Sequence, residues 1–154
     1  MSLRSSLHLS RRLLASSRRG LADMAFTFAA PNGVHYNEAK VKQVDVPSFS
    51  GSFGILPDHV PSLAVLKPGV VTVTEESGDA AKFFVSSGSI TINADSSVQI
   101  LAEEAHPLES LDPAAAREAL SQAQASLSSA SSEVDKAEAQ IAVETAEEIL
   151  KAIQ

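Results

Sequence analysis

Three places in the 154-residue sequence hold side chains that could do chemistry: Asp58-His59 with Ser52 and Ser62 nearby, the Glu103-Glu104 pair, and the histidines His8, His35, His59 and His106. An acid, a base and a hydroxyl are the parts of a hydrolase, but adjacent residues on a strand point to opposite faces, and no ordered base-nucleophile spacing is visible. Glu103-Glu104 could act as an acid/base couple, yet it reads better as a solvated strand end. The histidines are widely separated and the chain has no Cys, whereas metal sites want clustered ligands. Each His therefore reads as a satisfied or surface residue. Gly-Lys, G-x-G-x-x-G, H-E-x-x-H and G-x-S-x-G are all missing, which leaves no P-loop, dinucleotide fingerprint, zincin helix or nucleophile elbow. Gly51-Ser52-Phe53-Gly54 matches the G-x-x-G of RNA-clamping loops in letter only, because strand-like segments flank it in an acidic protein. No catalytic residue, cofactor or metal is expected.

Charge narrows the field further. Residues 1–22, MSLRSSLHLSRRLLASSRRGLA, carry five Arg and no acid, with Leu3, Leu7 and Leu14 near helical spacing. A secretory signal would need a continuous apolar block, so this segment is expected to be a cleaved mitochondrial transit peptide, with the cut near residues 21–24. Beyond it, seven Lys or Arg stand against nineteen Asp or Glu, a net charge of −12. Such a surface repels phosphate backbones and anionic lipid, and it favours basic protein partners. No run reaches the roughly 18 apolar residues of a transmembrane helix.

From Ala25 to about Leu108 the sequence reads as short strands between turn residues. AFTFAA, Asn32-Gly33 and VHYN form a hairpin signal. KVKQVDV alternates imperfectly, whereas Val71/Val73, Phe83/Val85, Ile90/Ile92 and Val98/Ile100 mark one face each. Turn residues at Pro47, Ser77-Gly78-Asp79, Ser87-Gly88-Ser89 and Asp95-Ser96 suit a sandwich or barrel. Helical crossovers are missing, so a parallel sheet is excluded.

After Leu111 the texture changes to Ala, Glu, Gln and Ser, with one Pro and no Gly to the end. Asp112 and Pro113 form a cap and first helical position. Ala116, Leu120, Ala123, Leu127 and Ala130 make a first seam, and the serines at 128–132 break it. Ser132 with Asp135 can open a second helix. Its expected stripe is Val134, Ala137, Ile141, Ala142, Ala146, Ile149, Leu150 and Ile153, with Glu147 and Lys151 paired one turn apart. The expected architecture is a transit peptide over 1–22, an antiparallel β-sandwich over 23–110 and an antiparallel helical hairpin over 111–154. Ala-rich seams bury little area, so the hairpin needs the sandwich or another subunit for support.

The central segment SGSFGILPDHVPSLAVLKPGVV decides the functional expectation. Gly51, Phe53, Gly54, Ile55, Leu56, His59, Pro61, Leu63, Leu66, Pro68 and Gly69 follow the pattern G-x-F-G-I-L-x-x-H-x-P-x-L-x-x-L-x-P-G. This closely resembles the small rotor subunit of F-type ATP synthases, and AFTFAAP, VKQVDVP and FFVSSGSITINADSSVQILAEEA extend the likeness from Ala25 to the end. The resemblance implies a sandwich followed by a helical hairpin, and a central-stalk role without catalysis on the matrix side of the mitochondrial inner membrane. Implied partners are the gamma subunit, the small mitochondrial epsilon subunit and the c-ring. By motif position, Gly51, Ser52, Phe53, Asp58 and His59 are expected to face the ring, while Ile55, Leu56 and Leu63 are expected in the core. Some bacterial members bind ATP through I/L-D-x-x-R-A; here Arg117 comes later than that motif requires and Glu118 follows it, so no nucleotide site is implied. The competing expectation is a free-standing binding module whose hairpin dimerises it.

Overall fold

The computed structural model describes residues 24–154, and the leader expected over 1–22 lies outside them. The elements are β1 (Met24–Ala30), β2 (Gly33–Ser48), β3 (Gly51–Ile55), β4 (Ser62–Leu66), β5 (Gly69–Glu75), β6 (Ala80–Val85), β7 (Gly88–Ile92), β8 (Val98–Ala102), β9 (Ala105–Pro107), a 3-10 turn at Leu108–Ser110, α1 (Pro113–Ser129) and α2 (Glu133–Ala152). Period-two positions make the core. Val71, Val73, Val85, Ile90, Ile92, Val98 and Ile100 are buried, and Phe26, Phe28 and Met24 of β1 are fully enclosed among them. Phe83 packs half-buried against the same core.

The imperfect alternation of KVKQVDV has a geometric cause. Against β5, Val41 opposes Glu75 while Gln43 opposes Thr74, so β2 carries one extra residue and Val41 and Val44 fall on one face. Both are buried. A second irregularity lies opposite β1, where Phe26 pairs with Ala39 and Phe28 with Tyr36. Glu38 takes a φ of 49° there, and its amide donates to the Thr27 hydroxyl at 3.2 Å. Bulges bend a strand and raise its twist. A 16-residue β2 can thereby pair with β1 at one end and with β3, β4 and β5 at the other. The two strands expected on either side of Asn37 are therefore one.

Strand order runs β1-β8-β7-β4-β2-β5-β6-β9, with β3 on β2 and β1 also on β2. Every pairing is antiparallel except β1 with β8, which is parallel over residues 26–29 and 98–101. This corrects the expectation that parallel pairing is excluded: a parallel pair needs a long connection, and here the intervening sandwich supplies it in place of a helix. The first hairpin is also shifted. Ala30 pairs with Gly33, so the connection is Pro31-Asn32 and not Asn32-Gly33. Pro pre-sets φ for the first turn position, which moves the loop back by one residue. Asn32 then spends its side-chain amide on the Ala105 carbonyl at 2.7 Å. Pro47, expected as punctuation, sits inside β2, and its carbonyl accepts from the Lys67 amide at 3.2 Å.

Gly88 is where two backbones approach most closely. It pairs with Ala102, and a Cβ there would lie 2.4 Å from the Leu101 carbonyl oxygen and 2.8 Å from Ala102 Cα. Neither atom can swing away as a side chain could. Gly88→Ala is expected to cost about 1–3 kcal/mol by forcing β7 from β8, read as a lower urea midpoint.

The helices start where local chemistry says they should. Asp112 Oδ1 accepts from the Ala114 amide at 2.8 Å, with Pro113 at the first helical position, and Ser132 Oγ accepts from the Asp135 amide at 3.0 Å. Removing the first cap by Asp112→Ala should lower stability by about 1 kcal/mol in denaturant unfolding. In α1 the seam is narrower than expected, since only Ala116 and Ala123 are buried. In α2 the expected stripe is displaced in its first half, while Ala146 is buried as expected and Ile149, Leu150 and Ile153 are half-buried. Ala139, Val143 and Ala146 are buried, whereas Val134 and Ile141 are 66% and 62% exposed and Ala137 and Ala142 are exposed as well. Small residues win because α1 presents alanines, and a close crossing of two helices favours Ala over Ile. Lys151 pairs with Glu148 at 2.8 Å, not with Glu147. The hairpin packs through α2 onto β5.

Candidate functional site

The motif segment spans both ends of β3. At one end Ser48, a buried hydroxyl, donates to the Gly51 carbonyl at 2.6 Å and lies 2.8 Å from Ser50 Oγ, which must then be the donor of that second bond. Gly51 holds a φ of +120°, a backbone state that side chains resist. Gly51 and Ser52 are exposed on this tight connection. The other end carries Asp58 and His59. Asp58 takes a φ of 62°, and its amide donates to Ser96 Oγ at 3.1 Å. The same hydroxyl returns a hydrogen bond to Asp58 Oδ1 at 3.2 Å. Ser96 itself has a φ of 66°, inside a loop closed by Asp95, whose carboxylate accepts from Ser97 Oγ at 2.7 Å and from its amide at 3.0 Å. Those bonds hold the Asp95 pKa below its ordinary value.

Phe53, Asp58 and His59 are brought together, while Gly51 and Ser52 stand apart at the far end of β3. The Phe53 and His59 rings stack with centroids 6.2 Å apart. His59 Nδ1 lies 2.8 Å from the Val60 carbonyl, an acceptor, so Nδ1 carries the proton. Ser62 Oγ donates to the same carbonyl at 2.9 Å. Asp58 is engaged by Ser96 and His59 by Val60, so acid, base and hydroxyl are not linked as a hydrolase requires. The outcome is a rigid tip rather than a triad. Among the described residues no cluster of three His, Asp or Glu could hold a metal ion, and no helix is long and apolar enough to cross a membrane.

The expected core positions divide. Ile55 is fully buried, but Leu56 and Leu63 are 56% and 76% exposed, a correction to their placement in the core. Their exposure belongs to a larger surface that sequence reasoning missed. Val65 of β4 pairs with Ser89, Ser89 with Leu101, Leu101 with Ala29, and Ala29 with Val34. These five residues form one row across five strands, and Val34, Val65 and Leu101 are each about 60% exposed or more. Leu63 lies two residues along β4 on the same face. A signal was present in SLAVL and VQILA, which carry apolar residues at both parities and thus cover two faces.

Beneath the first hairpin lies an aromatic cluster. The His35 ring sits 5.0 Å from Phe28 and 4.9 Å from Phe83 in tilted contacts, with its buried Nε2 unbonded. Tyr36 donates to Glu75 Oε1 at 3.1 Å. Burial first, then that carboxylate, push the Tyr36 pKa up to about 12. The folded state thus favours the neutral phenol: the stability it confers is complete below the ordinary value of 10 and is lost as pH rises through about 12. Tyr36 is the only Tyr and there is no Trp, so tyrosinate absorbance should rise near pH 12 in the native protein and near pH 10 in denaturant.

Residues 23–108 match the family described as ATP synthase, Delta/Epsilon chain, beta-sandwich domain, which accounts for more than half the chain. The chain belongs to the ATP synthase delta/epsilon family. Residues 111–152 match the C-terminal domain of the metazoan delta subunit of F1F0-ATP synthase. The mitochondrial ATP synthase subunit delta of Caenorhabditis elegans is 48% identical over 130 residues, covering 84% of this chain and 79% of that protein. That of Yarrowia lipolytica is 39% identical over 137 residues, covering 85% and 84%. Among solved structures, a chain of the Euglena gracilis mitochondrial ATP synthase, OSCP/F1/c-ring, superposes with a TM-score of 0.79 at 26% identity, covering 86% of this chain and 82% of that one. A chain of the Tetrahymena thermophila mitochondrial ATP synthase central stalk and c-ring shares the fold, with a TM-score of 0.63 at 16% identity and coverage of 85% and 96%. This delta/epsilon family member is thus homologous to mitochondrial ATP synthase delta subunits over both its sandwich and its hairpin.

Proposed function

We propose that the chain is a non-catalytic central-stalk subunit of a mitochondrial proton-translocating ATP synthase, coupling c-ring rotation to the gamma subunit on the matrix side of the inner membrane. The observation that carries this reading is the in-register apolar row on the outer face of a sandwich whose relatives are ATP synthase delta subunits. Torque transfer needs a stiff body and two interfaces that do not slip. The row Val34, Ala29, Leu101 and Val65, with Leu63 beside it, is suited to a permanent partner, because exposed apolar rows of this extent mark interaction surfaces. We assign it to the gamma shaft. The tip formed by Phe53, Asp58 and His59 is polar and hydrogen-bonded from two loops, which suits the ring's polar surface. Gly51 and Ser52, exposed at the opposite end of β3, are assigned to the ring by motif position alone. The remaining stalk partner is the small mitochondrial epsilon subunit. Dimerisation through the hairpin is a poorer reading, since the buried face of α2 is spent on α1 and β5 within the chain.

Native electrophoresis of detergent-solubilised mitochondria tests the proposal. The chain should migrate with the whole synthase and remain with gamma when the ring is stripped. A chain found only as a separate homodimer would overturn it.

A further inference from the structure

Among the described residues three other than glycine hold a positive φ, Glu38, Asp58 and Ser96, and two of them meet. Asp58 and Ser96 stand 38 positions apart, on the loops that follow β3 and β7. The pairing of Ser62 with Ile92, at one end of the β4–β7 ladder, sets those loops side by side.

Each of the two occupies a place that glycine fills with least strain. The His59 amide donates to the Leu56 carbonyl at 3.2 Å, which closes a turn with Pro57 and Asp58 at its centre. Proline followed by a residue at a φ of 62° is the pattern of a type II turn, whose second central position favours Gly. The β7–β8 connection puts Ser96 in a similar place. Its ends are joined by the Asn93 amide and the Ser97 carbonyl at 2.9 Å, and inside it the Ser96 amide donates to the Asn93 carbonyl at 3.2 Å. Such a turn followed by one left-handed residue, here Ser96 at 66°, is the common three-residue hairpin loop, and glycine again suits the last place. Both loops therefore hold a side chain where the backbone alone favours none.

The two side chains account for each other. Ser96 Oγ accepts from the Asp58 amide at 3.1 Å and donates to Asp58 Oδ1 at 3.2 Å. A hydroxyl can do both at one atom, and neither glycine nor alanine can do either. The amide it holds belongs to the peptide between Pro57 and Asp58, and that peptide is the unit that turns over when a type II turn becomes type I. Ser96 thus selects the turn type, and with it the direction of Asp58 beside the stacked rings of Phe53 and His59. Strain kept at two facing positions points to a task for the side chains that cause it.

We propose that Ser96 is a positioning residue of the ring-facing tip: its hydroxyl locks the 56–59 turn in the form that docks, so the β7–β8 loop, which lies outside the motif segment, governs the geometry of that contact. The inference rests on the reading of Phe53, Asp58 and His59 as the contact with the c-ring.

Ser96→Gly relieves the left-handed backbone while deleting the hydroxyl, so fold and positioning separate. In the isolated full-length chain its urea midpoint should stay close to wild type, while the Asp58 amide exchanges with solvent about tenfold faster. In synthase assembled in mitochondria, a turn free to sample both types has a smaller docking-competent fraction, and the c-ring retained per gamma after detergent extraction should fall about threefold or more. Ser96→Ala repeats both measurements, should the glycine variant fold poorly. Ser97→Ala removes the neighbouring hydroxyl, which bonds Asp95 and Asn93 and not Asp58, and should leave ring retention at the wild-type level. Unchanged exchange at Asp58, full ring retention once that amide is released, or ring loss that follows a fallen urea midpoint or is shared by Ser97→Ala overturns the positioning role alone. A wild-type chain that cannot be crosslinked to the c-ring in the intact synthase overturns the ring-facing reading, and this inference with it.

Discussion

Placing Glu at Val65 and Leu101 together is expected to strip the chain from the synthase while leaving it folded. Both side chains lie in the exposed apolar row, at 59% and 61% exposure, so neither supports the core. Exposed substitutions away from structural features change stability by about 0.5 kcal/mol or less, and the variant should unfold in urea close to the wild-type midpoint. At an interface the balance differs. Each apolar side chain contributes about 1–2 kcal/mol from the area it loses to water. Each buried, unpaired carboxylate adds a penalty of several kcal/mol. Together the two positions shift binding by more than about 5 kcal/mol, which is over a thousandfold in Kd. The readout is the amount of the chain co-purifying with gamma, relative to the catalytic subunits. Wild-type stoichiometry in the double variant would show that the row faces solvent in the assembled motor.

Phe26→Ala should produce the largest loss of stability in the sandwich. The ring is fully buried, stands 6.1 Å from Phe28 and 5.4 Å from Tyr36, and belongs to a strand paired on both sides, with β2 and with β8. Truncating a buried Phe removes its transfer free energy and leaves a cavity, for about 3–5 kcal/mol. Because β1 closes the sheet on itself by pairing with both β8 and β2, the neighbours cannot collapse inward without breaking one of those pairings. Guanidinium unfolding should show a lower midpoint with an unchanged slope. A loss under 1 kcal/mol would mean that the aromatic cluster repacks freely. The same variant should also bring the Tyr36 titration back toward 10, since burial is the main cause of its upward shift.

Local signals were legible where the chemistry is local. Asp112-Pro113 and Ser132 cap their helices because a side-chain oxygen two or three residues ahead of a free amide is a short-range geometric fact. The clean alternation of GVVTVTE, SITINA and SVQIL fixed which face of each strand is buried, and burial followed it. The imperfect alternation of KVKQVDV carried information as well, but it could be read only once the bulge opposite β5 was seen. The displaced part of the α2 stripe was not readable, because hydropathy favours Ile141 and Val134 while packing against α1 buries Ala139 and Val143, with Ala146 common to both.

By itself the sequence determined the two-part architecture, the strand faces and, through the loop motif, the family. Periodicity and turn chemistry act over a few residues, and the motif is written in consecutive ones. Tertiary structure alone decided which apolar residues remain outside. Leu63 and Val65 look like Leu66 in a sequence, and Leu101 looks like Ile100. Only pairing with distant strands shows that Val34, Val65 and Leu101 share one open row. A strand has two faces and the core can take one, so what is left for a partner is settled by what the rest of the chain covers.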